Sequence, residues 1–195
     1  MTSAAGRLLT ARYYAGQVAL KAQMVRDAHR LWGAWRGTSK AEWERMVGLA
    51  VPVIRARHRT SAGSSARYFE TLSAVETGRR QLGELPPPLP EDFIGATLAL
   101  TALTSVYNAR ARGLSLAAAK QVGFTRLAGA ASRLALSGGR DAILMSVSQS
   151  ARATGWERVT SGNACEFCSS LEGAHSQEEP FEAHDHCSCV AQPTF

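Results

Sequence analysis

All four cysteines of this 195-residue chain lie between positions 165 and 189, as Cys165-x-x-Cys168 and then His184-Asp-His186-Cys187-Ser-Cys189. The tail that carries them is polar and glycine-containing, too small to bury a self-sufficient apolar core, so something other than packing must close it. Thiolates and imidazoles are the natural donors for tetrahedral zinc, and C-x2-C followed by H-x2-C forms two compact donor pairs that one ion can gather. The most economical set is Cys165, Cys168, His184 and Cys187, with Cys189 or His186 able to replace His184. Two disulfides are the alternative. The N-terminus shows no apolar core of roughly 7 to 15 residues and no cleavage site, so no export is expected, and a reducing compartment favours zinc. The histidines beside Cys187 favour it too, because a disulfide framework has no use for them.

Charge divides the chain at the same place. Residues 1–160 hold all 22 Lys and Arg against 10 acids, a balance of +12, whereas residues 161–195 hold six acids and no Lys or Arg, a balance of −6. A basic body suits a polyanion or an acidic protein surface, while an acidic metal module without arginine is poorly suited to reading DNA bases. The densest basic patch is Arg55, Arg57, His58 and Arg59, whose arginines are candidate polyanion contacts. A solvated helical surface is the plainer explanation. No stretch reaches the roughly 18 apolar residues of a membrane span, so a soluble protein without a membrane partner is expected.

The body reads as mainly α. Apolar residues recur at helical spacing from Leu8 to Trp35. Thr38 or Ser39 can cap a second helix, with Glu42 completing a capping box, and Trp43, Met46, Ala50 and Ile54 form its stripe. Pro52 is expected to bend that helix, and Thr60-Ser61-Ala62-Gly63 to break it before a third helical stretch through Tyr68, Phe69 and Leu72. Pro86 to Pro88 and Pro90 mark an extended spacer. Further helices are expected at 91–111, 114–136 and 138–154, separated at Gly113 and at Gly138-Gly139. The resulting division is an N-terminal helical region (1–84), a proline-rich hinge (85–90), a second helical region (91–155) and a Cys/His module (156–195). In that module, a short strand is expected at Trp156 to Thr160, followed by a turn at Ser161-Gly162-Asn163 that presents the first two cysteines.

Little in the sequence suggests catalysis. Glu166 or Glu182 could act as a base beside a zinc-bound water, but a deaminase-type pattern needs His-x-Glu ahead of C-x-x-C, and here the order is reversed. There is no phosphate loop and no G-x-S-x-G. No catalytic or organic-cofactor residues are assigned, and a non-enzyme with one structural zinc is expected.

The run Cys165-Glu-Phe-Cys168-Ser-Ser-Leu-Glu-Gly173, then His184-Asp-His-Cys187-Ser-Cys189, resembles the C-terminal signature of Mu F-like minor head proteins of tailed bacteriophages. Those proteins carry C-x2-C-x4-G followed by H-P-x-C-x-C. Asp185 stands where the usual proline would stiffen the turn holding His184, and Ser188 where arginine is frequent. Arg67-Tyr-Phe-Glu-Thr-Leu before a proline break, with 19 Arg against 3 Lys, is similar to minor capsid proteins of actinobacterial phages. The resemblance implies a virion protein made in the host cytoplasm. Such a protein sits at the portal vertex or capsid interior, contacts portal, major capsid protein or packaged DNA, and acts in head assembly or genome ejection. The rival functions are a head maturation protease or other zinc enzyme, and a nucleic-acid-binding regulator.

Overall fold

The computed structural model describes residues 2–37, 39–160 and 164–195; Thr38, one of the two expected caps, and the expected turn at Ser161-Gly162-Asn163 fall outside them. Helix α1 spans Ala4–Gly33 and is capped by Ser3, whose hydroxyl accepts from the amide of Gly6 at 3.0 Å. Its buried face recurs every three or four residues through Tyr13, Leu20, Met24, Ala28 and Trp32, as an amphipathic helix requires. Helix α2 spans Lys40–Thr77, capped by Ser39 on the amide of Glu42 (3.2 Å), and ends at Gly78 in the left-handed conformation (φ 70°). That left-handed ending is the common glycine stop.

The expected break at 60–63 does not occur, and neither does the one at 138–139. Helix α2 runs through the first, and α5, Leu116–Gln149, runs through the second. Both errors have one cause, because the two segments meet where α2 and α5 cross. A Cβ on Gly138 would lie 2.3 Å from the carbonyl oxygen of His58, and one on Gly139 would lie 2.5 Å from Ser61 Oγ and 2.6 Å from Ser65 Oγ. The small residues permit close helix approach instead of ending helices. The hydroxyls are also satisfied without unwinding the chain. Ser65 donates to the carbonyl of Ser61 at 2.9 Å, Ser61 donates to Gln17 Oε1 at 2.7 Å, and Tyr13 and Ser65 share a 2.7 Å bond. The helix-breaking reputation of Ser and Gly reflects competing hydrogen bonds and backbone entropy, and tertiary packing overrides both here.

Helix α5 lies at the centre, packed against α1, α2 and α4. Helices α3 (Glu91–Leu98) and α4 (Thr104–Ala111) are joined without a break by a π turn over Ala99–Leu103. Its residues bury at Ile94, Leu98, Ala102 and Val106. An α-helix would rotate such a four-residue row by about 40° per step; the wider π turn absorbs this drift and keeps the row facing α5. The proline segment forms neither helix nor strand, Pro90 at its end is extended (φ −60°, ψ 142°), and the chain is tied to the body just before it, where the Glu84 amide donates to Ser146 Oγ at 2.8 Å.

After α5 the chain forms a three-stranded antiparallel sheet in the order β2-β1-β3, with β1 at Gly155–Val159, β2 at Gly173–His175 and β3 at Val190–Thr194. Trp156 pairs with His175 on one side and Pro193 on the other. It is fully buried and stacks on the His175 ring at 4.0 Å. Its cluster includes Tyr13, Phe69, Leu72, Ile143 and Val190, so one apolar core joins the helices to the sheet. Among the described residues, no helix is long and apolar enough to cross a membrane.

Candidate metal centre

Five donors converge between β1 and β3. Helix α6, Glu166–Ser170, is a single short turn with Cys165 at its N-cap and Cys168 inside it; this turn gives the C-x2-C pair its common direction. His184 Nε2 lies 3.0 Å from Cys165 Sγ and 3.1 Å from Cys168 Sγ, and Cys168 Sγ lies 3.6 Å from Cys187 Sγ. Two sulfurs on a tetrahedral zinc stand about 3.8 Å apart, given Zn–S bonds of about 2.3 Å, so the Cys168–Cys187 spacing fits one ion, and a sulfur and an imidazole nitrogen on the same ion stand about 3.6 Å apart, so His184 would move outward by about 0.5 Å to share it. The donors form two groups, Cys165–Cys168–His184 and Cys168–Cys187–Cys189, each with its ligand atoms within 4.8 Å of one another. Cys168 belongs to both. The four thiols are free, and Cys168, Cys187 and Cys189 are buried.

His184 is oriented for coordination. Its Nδ1 lies 2.6 Å from the Asp185 carbonyl oxygen, which places the ring proton there and leaves Nε2 its lone pair. His186, the alternative ligand, belongs to neither donor group. It adopts a left-handed backbone (φ 66°), and its ring packs against α5 at Gly129, where a Cβ would lie 2.7 Å from His186 Nε2.

The two departures from the phage signature acquire partners. Asp185 pairs with Arg133 of α5 at 3.0 Å, and Ser188 Oγ bonds Lys21 Nζ of α1 at 2.7 Å. Lys21 also donates to the carbonyl of His186. The turn that loses a stiff proline is therefore tied to two helices of the body.

Two buried arginines complete the surroundings, and sequence reasoning missed both. Arg140 is 3% exposed and donates from Nε and Nη2 to the Cys189 carbonyl, and from Nη2 to that of Cys187. Arg158 donates to the Glu182 carbonyl at 2.9 Å. The two guanidinium carbons lie 4.9 and 4.0 Å from the Phe181 ring centre. Neither arginine has a carboxylate partner within ion-pair distance among the described residues, and a buried cation without a counter-charge is costly. The Cys187 thiol answers part of that cost, being the one of the buried cysteines whose pKa is lowered, whereas the hydrogen bond to Cys187 and burial push the Cys189 thiol up. Burial lowers the pKa of Arg140, and the negative charges of Cys187 and Cys189 oppose the shift. Reciprocally, a hydrogen bond from Cys189 and the charge of Arg140 hold the Cys187 thiol well below its ordinary range, against its burial. Three thiolates around a divalent cation leave a net charge of −1, which Arg140 can balance, so the donor set and its surroundings fit a bound metal. The only sequence signal was Arg140 itself, set beside Asp141 between Gly138-Gly139 and the buried Ala142, Ile143 and Val147.

The candidate polyanion patch is largely committed to internal contacts. Arg57 pairs with Asp27 at 2.8 Å and Arg55 with Glu91 at 2.5 Å, while Arg59 is exposed. Asp27 accepts from both Arg57 and Arg30; burial raises its pKa, and those bonds outweigh burial to hold it below the ordinary carboxylate range.

No curated protein and no solved structure matches the chain. A family of viral gene proteins does match, and it points to a phage-encoded protein. The match, to the family described as VG15 protein, covers residues 6–195 and so takes in both the helical body and the metal centre; the chain belongs to that family.

Proposed function

We propose that this protein is a structural, non-enzymatic component of a phage virion, a minor capsid protein of the Mu F-like kind. It sits at the portal vertex or head interior and acts in head assembly or genome ejection. The observation that carries the reading is membership of a viral protein family over nearly the whole chain, joined to the Cys/His signature that resembles minor head proteins. The metal is zinc in a structural role. Four protein ligands close a structural zinc site, and five donors stand ready here, which favours a closed shell over an open catalytic position. Portal or major capsid protein is the proposed protein partner. Packaged DNA is contacted weakly and without sequence preference through Arg59 and other exposed arginines of the body, with binding that falls steeply as salt rises.

Mass spectrometry of purified virions tests the role. The protein is expected in mature particles at few copies per head; its absence from particles formed by a phage that expresses it would overturn the assignment. An enzyme would instead show a turnover lost in Glu166→Gln with the fold intact.

A further inference from the structure

The outer face of α3, the π turn and α4 carries a stripe that the fold leaves uncovered. Phe93, Leu100 and Tyr107 are 48%, 75% and 64% exposed, and Ala96 and Thr104 between them are exposed as well. The stripe bears no charge along its length. The Thr104 hydroxyl is satisfied within its own helix, donating to the Ala99 carbonyl at 3.1 Å. Beside the stripe runs a groove of about 540 Å³, walled by Trp43 and Val47 of α2 and by Leu103 and Tyr107.

The stripe is a palindrome about Leu100. Phe93 stands seven residues before it and Tyr107 seven after; Ala96 stands four before and Thr104 four after. The order large, small, large, small, large therefore reads the same in both directions. Two such helices packed antiparallel about a two-fold axis at Leu100 would set Phe93 of each copy beside Tyr107 of the other, with the small residues permitting close approach. Charges occur only at the ends, and their signs match. Asp92 opens the helix beside Glu91, which is already paired with Arg55, and Arg110 lies near its end, so antiparallel pairing brings Asp92 to Arg110 twice, whereas parallel pairing would set like charges together.

We propose that this face is the self-association surface of the protein and that its occupant is a second copy of the chain, bound antiparallel with Leu100 on the two-fold axis. A seam of this length is at the small end of specific interfaces, so the equilibrium falls in the micromolar range or weaker.

Sedimentation equilibrium of the full chain, at concentrations up to about 500 µM, reads the dimer directly. Leu100→Glu is expected to keep the far-UV spectrum and Tm of the parent, because the side chain is exposed, and to weaken dimerisation at least tenfold. Asp92→Arg and Arg110→Glu each weaken it by setting like charges together at both ends, and an equimolar mixture of the two restores it, because the mixed dimer carries one charge-swapped end and one native end. Orientation is read with a short bismaleimide over the wild-type background. Leu100→Cys links to itself. Phe93→Cys alone does not, since its two copies stand about 21 Å apart, but it links when mixed with Tyr107→Cys. A chain that stays monomeric throughout overturns the proposal, even if this face captures a different protein. So does a dimer indifferent to Leu100→Glu, or a Phe93→Cys variant that links to itself as readily as Leu100→Cys.

Discussion

Arg140 of α5 donates two hydrogen bonds, both 3.1 Å long, to the carbonyl oxygen of Cys189. Through them the central helix of the body holds the last cysteine of the tail. The metal centre is therefore continuous with the helical core, and its stability depends on a residue outside the cysteine motif. Arg140→Met keeps the bulk of the side chain but removes the charge and both donors. Hydrogen bonds to a charged group contribute roughly 1.5 to 3 kcal/mol each, so a loss of about 3 kcal/mol is expected, together with weaker metal retention against a chelator. An unchanged melting curve would show that the contact contributes nothing.

The shared position of Cys168 ranks the cysteines. It belongs to both donor groups, whereas Cys165 and Cys189 belong to one each. Cys168→Ser should abolish metal binding and loosen the sheet around Trp156, while Cys165→Ser or Cys189→Ser should keep weakened binding because five donors serve four positions. Metal content of the three variants after dialysis decides this, and equal loss in all three would refute the ranking.

The α2–α5 crossing predicts opposite signs for two glycine substitutions. Gly138→Ala would drive a methyl against the His58 carbonyl at 2.3 Å, and the required shift of packed backbone should cost about 3 kcal/mol. Gly48→Ala, inside α2 with nothing within 4 Å of the added carbon, should stabilise by about 0.5 to 1 kcal/mol, since alanine loses less backbone freedom in a helix. Denaturant unfolding of both variants tests the crossing.

His58 gives a pH dependence of known sign. It is 2% exposed, its Nε2 has no hydrogen-bond partner among the described residues, and burial lowers its pKa. The unfolded chain therefore binds a proton more readily than the folded one. Stability is full above the ordinary histidine value and falls as pH drops through it toward the lowered folded value. His58→Phe should flatten that component of the stability–pH curve relative to the parent between about pH 7 and 5. An identical slope in both proteins would mean that His58 is not buried neutral.

The sequence showed what was local and periodic. The amphipathic stripes of α1 and α2, the Ser39 cap and the strand at Trp156 follow from spacing and capping chemistry, and the Cys165, Cys168, His184 and Cys187 donors from their own chemistry. Relationships between distant segments were not visible. Thr60 to Gly63 and Gly138-Gly139 looked like two breaks because nothing in either segment says that it faces the other. Strand β3 was not expected; its Pro193 cannot donate to a ladder and is tolerated because β3 lies at the edge of the sheet. Arg140 and Arg158 looked like surface charges, because their burial depends on thiolates and on Phe181 brought in from the tail.

The most direct test is metal analysis of the full-length protein purified under reducing conditions, with a chelator titration followed by tryptophan fluorescence. One zinc per chain is expected, and its removal should expose Trp156 and lower the Tm. Protein that carries no metal when expressed in zinc-replete medium, and whose fluorescence and Tm are indifferent to chelator, would contradict a metal-closed tail.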